Sequence, residues 1–342
     1  MFLRASLPAL FLSFASFCAL AEPLAHLHQV REPAVEGVAR DAMLTRALDS
    51  LIVRLTGKAD APQAPALAEL RAAPEKIISQ FGFEADGSAL VVEFDPASSE
   101  RALRQAGLAL WGNNRPLILA WWLEEELGGS TLVGDGQSTA ETLRRAAQHR
   151  GLPLRLPLAD LNEQLAATSE VLSSAEFDGL AEVSERYAAD VLLAVVSAEQ
   201  DGKWQAQWRI RFLDQTAQGK VSAADREQLA DAVMLAVLQR LAEHFVAPPG
   251  AASDLEVWIE GANLARYADL ERLLDALGAR LVSVEGDRLV YAVKASPDQL
   301  RAQLGLLQLQ EVDAPAPSAE QPAADGTTAP AQIPANRLWF RW

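Results

Sequence analysis

A chain of 342 residues, half of them apolar and 22% charged, can bury several cores and folds as two or three domains. Its 46 acidic residues against 30 basic ones leave a net charge of −16, which sets the whole molecule against nucleic acid and anionic membrane surfaces as partners. The single cysteine, Cys18, lies in the leader described next, so disulfides, thiolate metal sites and cysteine nucleophiles are excluded together from the rest.

At the N-terminus Arg4 precedes an apolar run from Leu7 to Leu20, and Ala19-Leu20-Ala21 supplies an A-x-A cleavage site before Glu22-Pro23. Residues 1–21 therefore read as a cleaved signal peptide, too short for a membrane span, and the bulky Phe17 before Cys18 argues against a lipid-acceptor cysteine. The expected location is the periplasm of a bacterial envelope. No later run of about eighteen uncharged apolar residues follows, so no transmembrane segment is expected in the mature chain.

The first unit, residues 22–113, opens with a strand over 24–30. Val35, Val38, Ala42, Leu48, Leu51, Ile52 and Leu55 then recur at helical spacing up to Gly57, a C-cap glycine. A loop over 61–65 and a short helix over 67–73 lead to strands 77–83 and 89–94 around Asp86-Gly87, a hairpin signal. Asp95-Pro96 stops the second strand, and Ser98 or Ser99 caps a helix through Leu110. Strand, helix, hairpin, helix is an α+β pattern.

The second unit, residues 114–247, starts at Arg115-Pro116 with a continuous apolar strand over 117–123, as expected when both faces are covered. Helix 139–150, strand 152–156, helices near 161–167 and 180–188, and a buried strand over 191–196 follow. Asp201-Gly202 turns the chain into strand 204–212, where Trp204, Ala206, Trp208, Ile210 and Phe212 alternate, and helix 224–245 closes this α/β unit.

Pro248 to Ser253 is a linker. The third unit, residues 254–312, runs strand 255–259, helix 264–277, strands 280–284 and 288–293 around Glu285-Gly286-Asp287, helix 297–304 and strand 307–312. That βαββαβ order is the ferredoxin-like plan. Residues 313–335 form an Ala/Pro tract expected to be disordered. The aromatic segment 336–342, with Trp339, Phe340 and Trp342, is expected to form a short strand docked through Trp339 or Trp342 or, failing that, to be displayed for a partner.

No constellation specifies a chemistry. Gly129 to Gly136 has P-loop glycine spacing, but Asp135 stands where the phosphate-binding lysine belongs, and Thr139 replaces the third glycine of a dinucleotide fingerprint; a surface loop is the simpler reading. His26 and His28 lack a third metal ligand. His149 and His244 sit near helix C-terminal ends, with no serine and aspartate beside them in sequence, and neither G-x-S-x-G nor H-E-x-x-H occurs. Glu124-Glu125-Glu126 reads as a solvated turn before it reads as a cation or basic-peptide site, Trp204 and Trp208 as core before ligand platform, and Asp160 as a helix N-cap before an acid in a cleft.

Several strings are familiar jointly. Arg40-Asp41-Ala42, Arg46-Ala47-Leu48, Val53 to Gly57, Val92 to Asp95, Trp111 to Pro116, Arg150 to Pro153, Leu156 to Asp160 and Arg186 to Asp190 resemble the domain of unknown function 2066 family of exported proteobacterial proteins, over residues 24–246. The resemblance implies an exported envelope protein without an established activity and carries over no catalytic residue. On physical grounds the junction residues Arg115, Asp160, Tyr187 and Asp190 are the ligand-binding candidates, if the middle unit gathers them in one pocket, although at junctions a fold-maintaining role comes first.

The reading that follows is a non-enzymatic periplasmic accessory protein that binds another envelope protein, with no cofactor and no metal. The first alternative is a module binding peptidoglycan or a small molecule through the third unit or the Trp-bearing sheet. The second is a hydrolase-type enzyme with Asp160 and Asp190 as its carboxylates.

Overall fold

The structure is a computed structural model that describes residues 26–174, 177–247, 250–314 and 336–342. The expected signal peptide lies outside the described residues, as does the expected disordered tract apart from residues 313 and 314. The described chain is mixed α/β, with three sheets and helices packed against them.

The N-terminal unit comprises β1 (Gln29–Pro33), α1 (Arg40–Thr56), α2 (Ala68–Ala72), β2 (Ile78–Phe83), β3 (Ala89–Phe94) and α3 (Pro96–Gln105). Its sheet is antiparallel in the order β1-β3-β2. Leu44, Leu48, Leu51, Ile52 and Leu55 put the apolar stripe of α1 onto Val30, Leu90, Val92 and Phe94. The first strand is shifted from the expected 24–30, because the Gln29 amide bonds the His26 carbonyl in a turn before pairing with β3 begins. Asp95, not Ser98 or Ser99, caps α3: its carboxylate accepts from the Ser98 amide while Pro96 fills the first turn, and Ser99 is buried.

The middle unit comprises β4 (Ile118–Glu126), β5 (Gly129–Leu132), α4 (Ala140–Arg150), β6 (Leu154–Arg155), α5 (Leu161–Ala166), α6 (Ser169–Ser173), α7 (Asp178–Ser184), β7 (Val191–Gln200), β8 (Lys203–Phe212), β9 (Gln215–Ala223) and α8 (Arg226–Phe245). The strand path is β5-β4-β7-β8-β9, with β6 also on β4. Strand β4 runs parallel to β6 and β7, and the other pairs are antiparallel. Both faces of β4 are covered: Ile118, Ala120 and Trp122 meet α4 and α8, whereas Leu119, Trp121 and Leu123 meet the layer containing Leu172 and Leu180. Two of these strands, β5 and β9, carry no strand signal in the sequence. The glycine-rich stretch expected as a loop begins as β5, a hairpin partner of β4, and β9 carries small and polar residues that hide its alternation. Gly219 on β9 is required by space, since a Cβ there would sit 2.6 Å from the buried Trp208 ring.

The third unit comprises β10 (Ser253–Glu260), α9 (Leu264–Asp275), β11 (Arg280–Glu285), β12 (Arg288–Ala295), α10 (Pro297–Gly305), β13 (Gln310–Val312) and β14 (Arg337–Arg341). Its sheet order is β11-β12-β10-β14-β13, so segment 337–341 is an interior strand, parallel to β10 and antiparallel to β13. A βαββαβ unit alone would bring its last strand to its first; here β14 stands between them.

The seam between the first two units is tight. Trp111 stacks on Phe245 of α8 with ring centroids 4.9 Å apart, and its indole N–H donates to the Asn114 carbonyl. Gly57 ends α1 at φ 69° against α8, where a Cβ would lie 2.1 Å from that of Ala242. The middle and third units meet through α10, whose Ala302 joins the middle core together with Leu306 just beyond the helix, and through a bond from the Gln299 amide group to the Phe245 carbonyl.

Candidate functional site

The four junction candidates do not meet in one pocket. Arg115 is fully buried beneath the first seam: Nη2 donates to the carbonyls of Arg54 (2.7 Å) and Trp111 (3.2 Å), Nη1 to Gly151 (3.1 Å) and Nε to Gly112 (3.3 Å). Its guanidinium lies 4.4 Å from the Trp111 ring centroid. Arg54, on α1, is its counterpart, donating to the carbonyls of Leu27, Gln29 and His149. Burial draws the Arg54 pKa down to about 10 and that of Arg115 to about 9, each also repelled by a neighbouring cation. Both guanidiniums spend their donors on main-chain carbonyls, which stitches the units together.

Asp190 is at the start of β7, where its carboxylate accepts from the Leu117 amide at 2.7 Å and burial lifts its pKa to about 6. Asp160 and Tyr187 do come together, on the opposite side of the sheet from α8. Asp160 caps α5 in a capping box with Glu163 and pairs with Arg186. Tyr187 Oη donates to Glu163 and accepts from the Leu158 amide. These groups satisfy one another and form a closed fold-maintaining network. The two carboxylates of the hydrolase reading are thus a helix cap and a strand-end acceptor.

One constellation unreadable from sequence spacing appears at the first seam. His149 Nδ1 lies 2.7 Å from Asp231 Oδ1, and Nε2 lies 3.1 Å from Ser50 Oγ, which in turn donates to Glu32 at 3.4 Å. Arg150 grips the same Asp231 in a bidentate pair. The sequence places no serine and aspartate beside His149; the fold brings both from distant segments into this constellation. Its order is that of a nucleophile, a base and an orienting acid. Ser50, however, lies within α1, whose amides are engaged in the helix, so no pair of free N–H donors stands ready for an oxyanion beside it. The constellation forms a hydrogen-bonded chain from α8 through α4 to α1 and β1.

Cavities among the described residues lie elsewhere, and none of the four candidates lines the two described next. A groove of about 640 Å³ runs along the first seam between the ends of α1 and α8, lined by Gly57, Lys58, Asp60, Leu108, Gln239 and Glu243 among others. A water-sized space sits at the C-terminal ends of β4 and β7, between Trp122, Thr139, Ser197, Trp204 and Arg226. There the acidic run is strand rather than turn: Arg226 pairs with Glu124 and Glu126 and lies over Trp204, while burial raises the Glu124 pKa. Trp208 is core.

The segment with Trp339, Phe340 and Trp342 is strand β14 and its end. Phe340, not a tryptophan, is the buried residue; Trp339 stacks on Trp258 at 6.3 Å, and the Trp342 indole donates to the Leu307 carbonyl. Strand β2 is an exposed edge strand: Ser79 to Phe83 are all exposed and uncharged, with Phe81 at 45% and Phe83 at 55%. His28 Nε2 lies 3.9 Å from a Glu100 carboxylate oxygen, and burial lowers its pKa; among the described residues no group of three or more His, Cys, Asp or Glu is placed to hold a metal ion. Among them also, no helix is long and apolar enough to cross a membrane.

Comparison with known families corrects the sequence resemblance. Residues 21–112 match a family described as a domain of unknown function, DUF8605, and the expected likeness to the domain of unknown function 2066 family over 24–246 is not supported. The strings that suggested it are largely junction pieces, such as the Gly57 and Gly151 helix caps and the Trp111 to Pro116 crossing, whose form follows from local geometry. No curated protein matches the chain. The matched stretch covers the N-terminal unit and ends at the seam that Arg115 closes.

Proposed function

We propose that this chain is an exported, non-enzymatic accessory protein of the cell envelope, released into the periplasm by cleavage after Ala21, and that it works by binding another envelope protein. The observation that carries the binding reading is the β2 edge. An exposed edge strand offers unpaired amides and carbonyls as a template for another chain, and natural proteins usually guard such edges with charge or proline. Residues Ser79 to Phe83 have neither, and Arg40 lies 5.6 Å from the Phe81 ring. An extended segment of a partner would add there as a fourth strand, with its apolar side chains on Phe81 and Phe83.

A photo-cross-linkable residue at Gln80, introduced in the producing cells, tests this. The expected result is one dominant cross-linked envelope protein, absent when the probe is at Glu182 and lost in Phe81→Lys/Phe83→Lys. Equal cross-linking from both positions overturns the reading. A second reading, a module for peptidoglycan or a small molecule, is favoured by the groove along the first seam, whose size suits a small ligand. Retention on purified sacculi that Glu243→Arg abolishes would support it. We further propose that the third unit is a ferredoxin-like domain widened by one strand.

A further inference from the structure

We infer that the gap between β10 and β13 is a strand-acceptor site that reads a specific side-chain pattern, and that at high chain concentration it takes segment 336–342 of a second copy of this chain in place of its own. Three observations carry this, independently of the β2 edge.

The first is register. Strand β14 runs parallel to β10 with Glu256 opposite Arg337, Trp258 opposite Trp339 and Glu260 opposite Arg341. On that face an acidic, aromatic, acidic stripe meets a basic, aromatic, basic one, residue for residue: Arg337 pairs with Glu256 at 3.0 Å, Arg341 with Glu260 at 2.6 Å, and the indoles stack. On the other face Leu338 and Phe340 fall opposite Val257 and Ile259 in the core. A one-residue slip would reverse both faces, so the site selects sequence as well as shape.

The second is that the gap does not depend on β14 alone to stay open. Strand β13 follows α10, and α10 is held by the middle unit: Ala302 and Leu306 lie in the middle core, Gln299 bonds the Phe245 carbonyl, and a Cβ on Gly305 would touch Leu213 at 3.0 Å. Closing β13 onto β10 would move a strand spacing of about 4.8 Å and unpack that contact. The third is tether length. Residues 315–335 separate β14 from the rest of its sheet, a covalent reach of up to about 70 Å. A neighbouring molecule's acceptor is within that reach, and an identical segment fits it by construction.

The test uses the full chain with a specific protease site placed between residues 322 and 328, cut after folding, and a fluorescent peptide of residues 334–342. The expected result is uptake of the peptide by the cut chain, displacement by excess unlabelled peptide, and at least tenfold weaker uptake of the Arg337→Glu/Arg341→Glu peptide. Two differently tagged intact chains, incubated together at high concentration, should co-purify, and chains lacking 336–342 should not. No uptake by the cut chain, equal uptake of the charge-reversed peptide, or co-purification that survives the deletion overturns the inference. Tagged copies that never exchange overturn its second-copy occupant. A Glu256→Arg chain that prefers the Arg337→Glu peptide would establish pairing directly, whatever the fate of the deletion.

Discussion

The two seams of this molecule hold their units by different means. At the first, Arg54 and Arg115 lose their hydration to bind carbonyls from several segments, and His149, Arg150 and Asp231 close the rim. At the second, α10 packs on α8 through apolar residues with Gln299 as a bond at its edge. The contrast teaches that a buried cation fixes orientation because its fan of donors fits only one arrangement of acceptors, whereas an apolar patch fixes proximity.

Arg115→Met tests that contrast most severely. Filling the space with a side chain that donates nothing should destabilise by about 4 kcal/mol, because buried carbonyls left unpaired cost about 1–3 kcal/mol each and do not add fully. Denaturant unfolding measures it, and an unchanged midpoint would mean that packing alone holds the seam. Gly57→Ala should cost about 2–3 kcal/mol, from a left-handed backbone and the overlap with Ala242. Asp231→Asn should cost about 1–2 kcal/mol by stranding Arg150 and His149. Asp190→Asn should stabilise at neutral pH. Its folded pKa of about 6 lies above the ordinary value of 3.8, so the native state holds the proton more tightly than the unfolded chain. Wild-type stability from this group is greatest below pH 3.8 and lost as the pH rises through 6. The melting temperature of Asp190→Asn relative to wild type should therefore climb between pH 4 and 6, and a flat difference refutes the burial. Gln299→Ala at the second seam should cost under about 1 kcal/mol, and a larger loss would erase the distinction between the seams.

What could be read from the chain follows how local the determining forces are. The third unit's helices and first three strands were legible because each has a short run of its own period bounded by turns. Strand β9 was not, since Thr216, Gln218 and Lys220 alternate with Ala217 and Gly219, and only the Trp208 ring explains the small residues. The turn at Arg115 singles it out and puts a fold-maintaining role before a ligand, but the segments it joins are not legible, because its acceptors are backbone carbonyls and carry no sequence signature. The Ser50, His149 and Asp231 contact joins three helices from distant parts of the chain, which no spacing rule connects. The capping role of Asp160, by contrast, is legible from its place after Pro157 and just before the helix, and the structure adds Glu163 as its capping-box partner.

The Trp111 sandwich has an optical consequence. Its indole lies nearly parallel to Phe245, at 8°, with a guanidinium over the ring and almost no exposed surface. A positive charge held beside an indole shifts the energy of its excited state, whose dipole differs from that of the ground state. With the other tryptophans of the chain's eight replaced by Phe, Trp111 becomes a spectroscopic label for the first seam, while a variant keeping only Trp258 and Trp339 reports on the occupancy of the β14 gap. Emission from the two variants would show which joint opens first as the protein is warmed.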